Sequence, residues 1–472
     1  MFAVSIILSS MRVLIRNGTV VNATGRQQAD VLVEDRRVAA VRPAIPGPAD
    51  RVIDATGRLV FPGGVDVHTH LDMPLGAIRT SDDFGTGTVA AACGGTTTVV
   101  DYAVQSRGHS LREALDEWMA RAAGHAAIDF GFHVCIADLR PEVEAEIADM
   151  VAAGVPSFKL FMAYPGRMML DDGEIFRVLR RTAACGGLVC LHAENGTVID
   201  LLVREAVRAG HTAPGYHATT RPAALEAEAV HRGIALARLA GAPVYVVHLS
   251  SAEALAEVAA ARGRGDRVIG ETCPQYLLLA AAATPDAEDA RTAARTVISP
   301  PLRGRASQNA LWAGLARGDV QVVATDHCPF FLDQKAVGHA DFSTIPNGAP
   351  GIEHRMALLY DAGVASGRLS AERFVEVVSA APARTFGLYP RKGVVAVGAD
   401  ADLVVFDPSG ETRVSAATHH MRVDYNLYEG RTLAGAVETV MARGGVIVER
   451  GRFVGPAGGG RFLARAPFIP EP

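Results

Sequence analysis

The sequence predicts an α/β protein, a (β/α)8 TIM-like barrel carrying a small β-sandwich domain formed from both termini. Three observations lead there. Short β-rich segments alternate with helical patterns through the middle of the chain, as βα units around a parallel sheet require. Polar residues gather at the C-terminal ends of many of those segments, where a barrel places its active site. Both ends of the chain instead alternate apolar and polar residues between turn signals, the pattern of short antiparallel strands.

The N-terminal stretch "RVLIRNGTVVNATGRQQADVLVEDRRVAAVRP" assigns residues 11–60 to the β-domain. Residues 388–455, with "GVVAVGADADLVVFDPSGETRV" and "VETVMARGGVIVERGRFVG", complete it. Between them, 61–387 form the barrel. Its strands read as "GVDVHTHL", "TTTVVDYA", "IDFGFHVCI", "PSFKLFMAY", "LVCLHAEN", "PVYVVHLSS", "RVIGETCPQYL" and "VQVVATDHC". Helices such as "SLREALDEWMARAAG" and "SAEALAEVAAARG" lie between them. An open doubly wound sheet is the competing architecture, but no GxGxxG follows the first strand. Residues 456–472, Gly-rich "GPAGGGRF" to "FIPEP", read as a tail able to reach a neighbouring subunit. "MFAVSIILSS" lacks a basic flank and directly precedes Met11, so residues 1–10 read as an extension or misplaced start, not a signal peptide.

Composition narrows the partners. A chain of 472 residues with 49% hydrophobic and 21% charged content is a soluble globular protein with ample core, which argues against a membrane or disordered role. A net charge of −5 and no basic cluster argue against nucleic acid, leaving a small molecule. The six cysteines show no CxxC spacing and fit reduced thiols in a cytoplasmic protein.

The strand-end residues form a set. His68 and His70 in "DVHTH" project to one side of a strand and can share a metal. Alone, such a pair is weak. His192, His248 and Asp326 end three later strands, so nitrogen and carboxylate donors converge on one rim. Singly, each has an ordinary structural role available: a histidine bonded to backbone, an aspartate capping a loop. His133 and the cysteines read as structural. Glu194 shares the face of His192, but reads as a solvated loop carboxylate, and His327 is turned away from Asp326 by alternation.

Lys159 is the anomaly, a cation in the apolar stretch "FKLF". Lysine is rarely buried unless paired, because desolvating an ammonium costs more than its alkyl stem returns. Two readings stand. The side chain can snorkel or meet an acidic neighbour. Alternatively, burial lowers its pKa and the neutral amine takes up carbon dioxide, giving a carbamate able to bridge two divalent cations.

Together, "PGGVDVHTHLDMP", "GGTTTVVDYA", "KLFMAYPG", "LHAEN", "VHLSS", "ETCPQYL", "ISPPLR", "ATDHCPF" and "DYNLYEG" resemble the dihydropyrimidinases and hydantoinases of the amidohydrolase superfamily, from about Arg12 to Phe468. The resemblance implies two divalent metal ions, zinc foremost, bridged by carboxylated Lys159. His68, His70 and Asp326 with Lys159 hold one, and His192 and His248 with Lys159 the other. It further implies that Tyr164 supports the oxyanion, that Ser299 and Asn347 bind the cyclic imide, and that Asp326 moves the proton. The implied reaction opens cyclic amides (dihydrouracil, dihydrothymine, 5-substituted hydantoins) to N-carbamoyl amino acids, in a homotetramer. Allantoinase, a mononuclear deaminase and a non-catalytic scaffold on the same fold are the alternatives; the complete ligand set argues against the scaffold. Asp72 stands where dihydroorotases carry arginine, and its charge would oppose an anionic ring.

Overall fold

The computed structural model describes residues 11–282, 284–285 and 289–468. The first ten residues, on which the reading of an N-terminal extension rests, and the last four of the C-terminal tail lie outside them.

Eight parallel strands form the barrel: β1 (Gly64–Thr69), β2 (Thr96–Val104), β3 (Asp129–Cys135), β4 (Ser157–Phe161), β5 (Leu188–His192), β6 (Val244–Val246), β7 (Val268–Thr272) and β8 (Val322–Val323). They pair in sequence order. The ring closes at its rim, where Thr69 bridges to His327 and the His70 amide donates to the His327 carbonyl. Asp66 of β1 reinforces the seam by accepting from the Thr325 hydroxyl at 2.7 Å. All eight strands coincide with segments expected from sequence, though β6 and β8 are only three and two residues long.

Capping explains where several helices begin. Ser110 accepts from the Glu113 amide while Glu113 accepts from the Ser110 amide, a reciprocal pair that opens helix Leu111–Ala122. Asp171 and Glu174 do the same for Asp172–Cys185. The largest core packs these helices against the outer faces of the strands, with Trp118, Phe130, Phe132, Phe158 and Leu191 buried there.

The second unit is a nine-stranded sheet assembled from both ends of the chain, giving the β-sandwich. Leu403–Arg413 runs antiparallel to Leu59–Pro62, which lies parallel to Val13–Asn22. Inward residues Val13, Ile15, Val31, Val33, Leu403 and Met441 make a separate core. As far as it is described, the tail lies on its own barrel. The Phe130 amide donates to Arg461, the Arg465 amide to Gly154 and the Phe468 amide to Gly186. Arg465 is buried because its guanidinium finds acceptors, the Phe132 carbonyl and the Ser157 hydroxyl.

Candidate metal centre and active site

The barrel turns the strand-end donors into a cluster. His68 Nε2 lies 3.1 Å and His70 Nε2 3.3 Å from the same oxygen, Asp326 Oδ1. Candidate ligand atoms of these three residues all fall within 4.8 Å of one another. Nearby, His192 Nδ1 faces His248 Nε2 at 2.9 Å, with the His248 ring centre 5.4 Å from that of His68. Lys159 lies beside the first group: its Nζ is 3.4 Å from His68 Nε2 and 4.6 Å from the centre of the Tyr102 ring.

Lys159 is 1% exposed and forms no ion pair among the described residues. Burial pulls its pKa below the ordinary lysine value, against the charge of Asp326. Burial also lowers His70 to about 4 and His248 well below the usual range, so both rings are neutral and able to donate lone pairs. For His68, burial and Lys159 disfavour the cation, but Glu271 and Asp326 outweigh them and raise its pKa. Burial disfavours the Asp326 anion, yet His68 and His70 hold its carboxyl well below 3.8.

The donor set fits a metal on a second count. His70 Nδ1, His248 Nδ1 and Glu194 Oε1 are buried without a hydrogen-bond partner, although buried polar atoms are rarely left so. The backbone is strained at the same place: Tyr164, His248 and Asp326 adopt positive φ of 65°, 42° and 52°. Such conformations cost on the order of 1–3 kcal/mol each and concentrate at functional sites.

The expected substrate residues also meet. Asn347 Nδ2 donates to Ser299 Oγ at 3.1 Å. Burial and the nearby Glu194 charge push the Tyr164 phenol up to about 12, while hydrogen bonds with Ser299 and Asn347 partly offset this. Tyr164 therefore keeps its proton at neutral pH and can donate it.

Several contacts were not anticipated. Glu271 at the end of β7 is fully buried, lies 2.6 Å from His68 Nδ1 and also accepts from the Tyr245 hydroxyl and the His248 amide. It orients one imidazole and the backbone of another. The only sequence signal was a charge inside the strand segment "VIGET". Glu194 is buried rather than solvated, and lies 2.8 Å from His192 Nε2; its neighbour in sequence is also its partner in space. Asp72 differs from expectation too. Arg79 and Arg121 pair with it at 2.6 and 3.0 Å, so its charge is compensated and does not stand bare against the substrate. His133 is bonded within the barrel, to Ser157 Oγ and the Val67 carbonyl, and His327 lies 3.0 Å from Asp82.

A parallel barrel whose C-terminal rim presents an HxH pair, two further histidines, an aspartate and a buried lysine defines a class of metal-dependent hydrolases. Residues 59–447 match the model of the amidohydrolase family, and the chain belongs to that family. Within it, the likeness narrows. The D-hydantoinase of Streptomyces coelicolor is 53% identical over 465 residues, 97% of this chain and 98% of that protein. The crystal structure of dihydropyrimidinase from Brevibacillus agri superposes with a TM-score of 0.95 at 47% identity, covering 98% of this chain and all of that one. An L-hydantoinase (dihydropyrimidinase) from Arthrobacter aurescens is more distant, with a TM-score of 0.88 and 33% identity over 96% of this chain and 99% of that one.

Proposed function

We propose that this protein hydrolyses cyclic amides, namely 5,6-dihydrouracil, dihydrothymine and 5-substituted hydantoins, to N-carbamoyl amino acids. Lys159 carries this reading: a buried lysine with no ion pair among the described residues, its Nζ 3.4 Å from His68 of the His68, His70 and Asp326 cluster. As its carbamate it would join His68, His70 and Asp326 at one divalent ion and His192 and His248 at a second, with zinc the first choice for such nitrogen and oxygen donors. The ions, when bound, supply Lewis-acid polarisation of the ring carbonyl and a nucleophilic hydroxide at neutral pH.

The protein's own groups do the rest. Tyr164, protonated and placed beyond the end of β4, donates to the carbonyl oxygen as negative charge develops there. Ser299 and Asn347 hold the imide edge of the ring. Asp326, kept ionised by two histidines, accepts a proton and returns it to the departing ring nitrogen. Glu271 and Glu194 fix the rings of His68 and His192.

The relatives' names support a preference for D-configured hydantoins over L, and a homotetramer is proposed on the sequence resemblance alone. Six unpaired cysteines support a cytoplasmic location; among the described residues no helix is long and apolar enough to cross a membrane. The test is kcat/KM on one preparation for dihydrouracil, a D- and L-hydantoin panel, dihydroorotate and allantoin. The neutral rings should give the highest values, with D above L. A higher value for dihydroorotate or allantoin would overturn the substrate assignment, and a metal-to-chain ratio near one would overturn the paired centre.

A further inference from the structure

Lys335 is a second lysine buried without a carboxylate. It lies on the short helix Leu332–Ala336 that follows β8, and it is 0% exposed. Its Nζ donates to two backbone carbonyls, Pro346 at 3.0 Å and Val297 at 3.2 Å. Those carbonyls belong to different loops. Val297 lies two residues before Ser299, and Pro346 directly precedes Asn347. The loops also meet through the Gly348 amide, which donates to the same Val297 carbonyl, and through the Asn347 contact with Ser299 Oγ.

The lysine must do something that an apolar residue cannot. A buried carbonyl without a donor keeps its desolvation cost; Lys335 gives the Pro346 carbonyl its donor and adds a second to the Val297 carbonyl, which the Gly348 amide already reaches. An amine on a long stem can serve both from a third element, and the helix bearing it is itself fastened by the Leu332 amide to Asp424. Burial lowers the pKa of Lys335 to about 7, so the amine is held at little charge cost. Protonated or neutral, it has enough N–H groups for two carbonyls.

We infer that Lys335 is a positioning residue for the ring substrate, clamping the Ser299 and Asn347 loops at one fixed separation. This rests on the reading that those two loops bind the ring. Lys335→Met keeps the volume and removes both donors. In that variant KM should rise roughly tenfold while kcat changes less than about threefold, as loss of ground-state and transition-state binding together requires. Bound metal should be unchanged. Hydrogen exchange in peptides covering 297–300 and 346–348 should be faster than in the wild type, and Lys335→Arg, which keeps two donors, should restore KM at least in part. Should Lys335→Met not fold, Lys335→Gln offers the same readouts.

The wild-type enzyme with hydantoin and its ring-opened product at equilibrium provides the control. Slower exchange of both peptides than in the free enzyme shows that they bind the ring. Without that protection, the reading of Ser299 and Asn347 fails and takes this inference with it. With protection in the wild type but unchanged KM and exchange in the variant, the clamp alone is overturned.

Discussion

Lys159 at the barrel mouth and Lys392 at the seam with the β-sandwich are equally hidden, at 1% and 2% exposure. Their surroundings are opposite. Lys392 Nζ lies 2.6 Å from Asp402, 2.8 Å from Asp129 and 3.1 Å from Asp400, and these carboxylates outweigh its burial and raise its pKa. Asp129 belongs to barrel strand β3 and Asp402 precedes the sandwich strand Leu403–Arg413, so the cation fastens one unit to the other. Lys159 has histidines and aromatic rings instead, and burial depresses its pKa. Lys392, matched by carboxylates, is a fastener. Lys159, with no such match, is the lysine we propose as a reagent, since only a deprotonated amine can take up carbon dioxide.

The largest expected effect breaks the comparison at Lys159. Lys159→Ala should lose both metals and nearly all turnover, measured by elemental analysis and by hydantoin hydrolysis. Added short carboxylic acids should restore a fraction of activity by replacing the missing bridge. Two metals and normal turnover in this variant would leave no case for the carbamate.

Lys392→Met should act on the opposite property. It leaves buried carboxylates without their cation and should cost about 3–5 kcal/mol of stability. Activity per folded molecule should stay near wild type. The difference in unfolding free energy between the two proteins should be constant from neutral pH up to the ordinary lysine range. A raised lysine pKa contributes stability in full below the unfolded value of 10.5, and loses it only as pH climbs through the folded one. Denaturant titrations at neutral and mildly alkaline pH check both points.

Two smaller effects sharpen the picture at the mouth. Tyr164→Phe should lower kcat by roughly 10²- to 10³-fold at unchanged metal content, the usual cost of one oxyanion donor. Glu271→Gln should weaken metal affinity by about 10–100-fold, because it loosens His68 without removing a ligand. Competition with a chelator measures that shift. A variant that binds metal as tightly as the wild type would reduce Glu271 to packing.

The barrel and the residues on its rim were legible because they obey local rules. Strand and helix periods alternate, and HxH places two rings on one side of a strand. Lys159 stood out as a violation of another local rule. What sequence could not show depends on distance. Glu271 meets His68 across 203 residues, and no local pattern reports that meeting. Asp72 looked like a free anion until Arg121, 49 residues away, closed on it. Glu194 sits beside its partner, yet burial rather than adjacency decides whether such a pair matters. The tail's packing was equally hidden: Gly460 lies against the Ile128 carbonyl with no space for a side chain, a contact between distant parts of the chain that no local pattern reports.

A chain made from one end to the other meets the both-ends construction of the sandwich as a problem of timing. Asn22 hydrogen-bonds to Val395, 373 residues later, and Arg465 closes against Ser157 across 308. On the ribosome, the N-terminal strands emerge first and wait with an unpaired apolar edge while the barrel is translated. Unpaired edges invite wrong partners, so the nascent chain is at greatest risk of aggregation before its last strands appear. The sandwich closes only once its late strands, Leu403–Arg413 and Thr432–Ala442, have been made, so the first strands of the chain depend on some of its last.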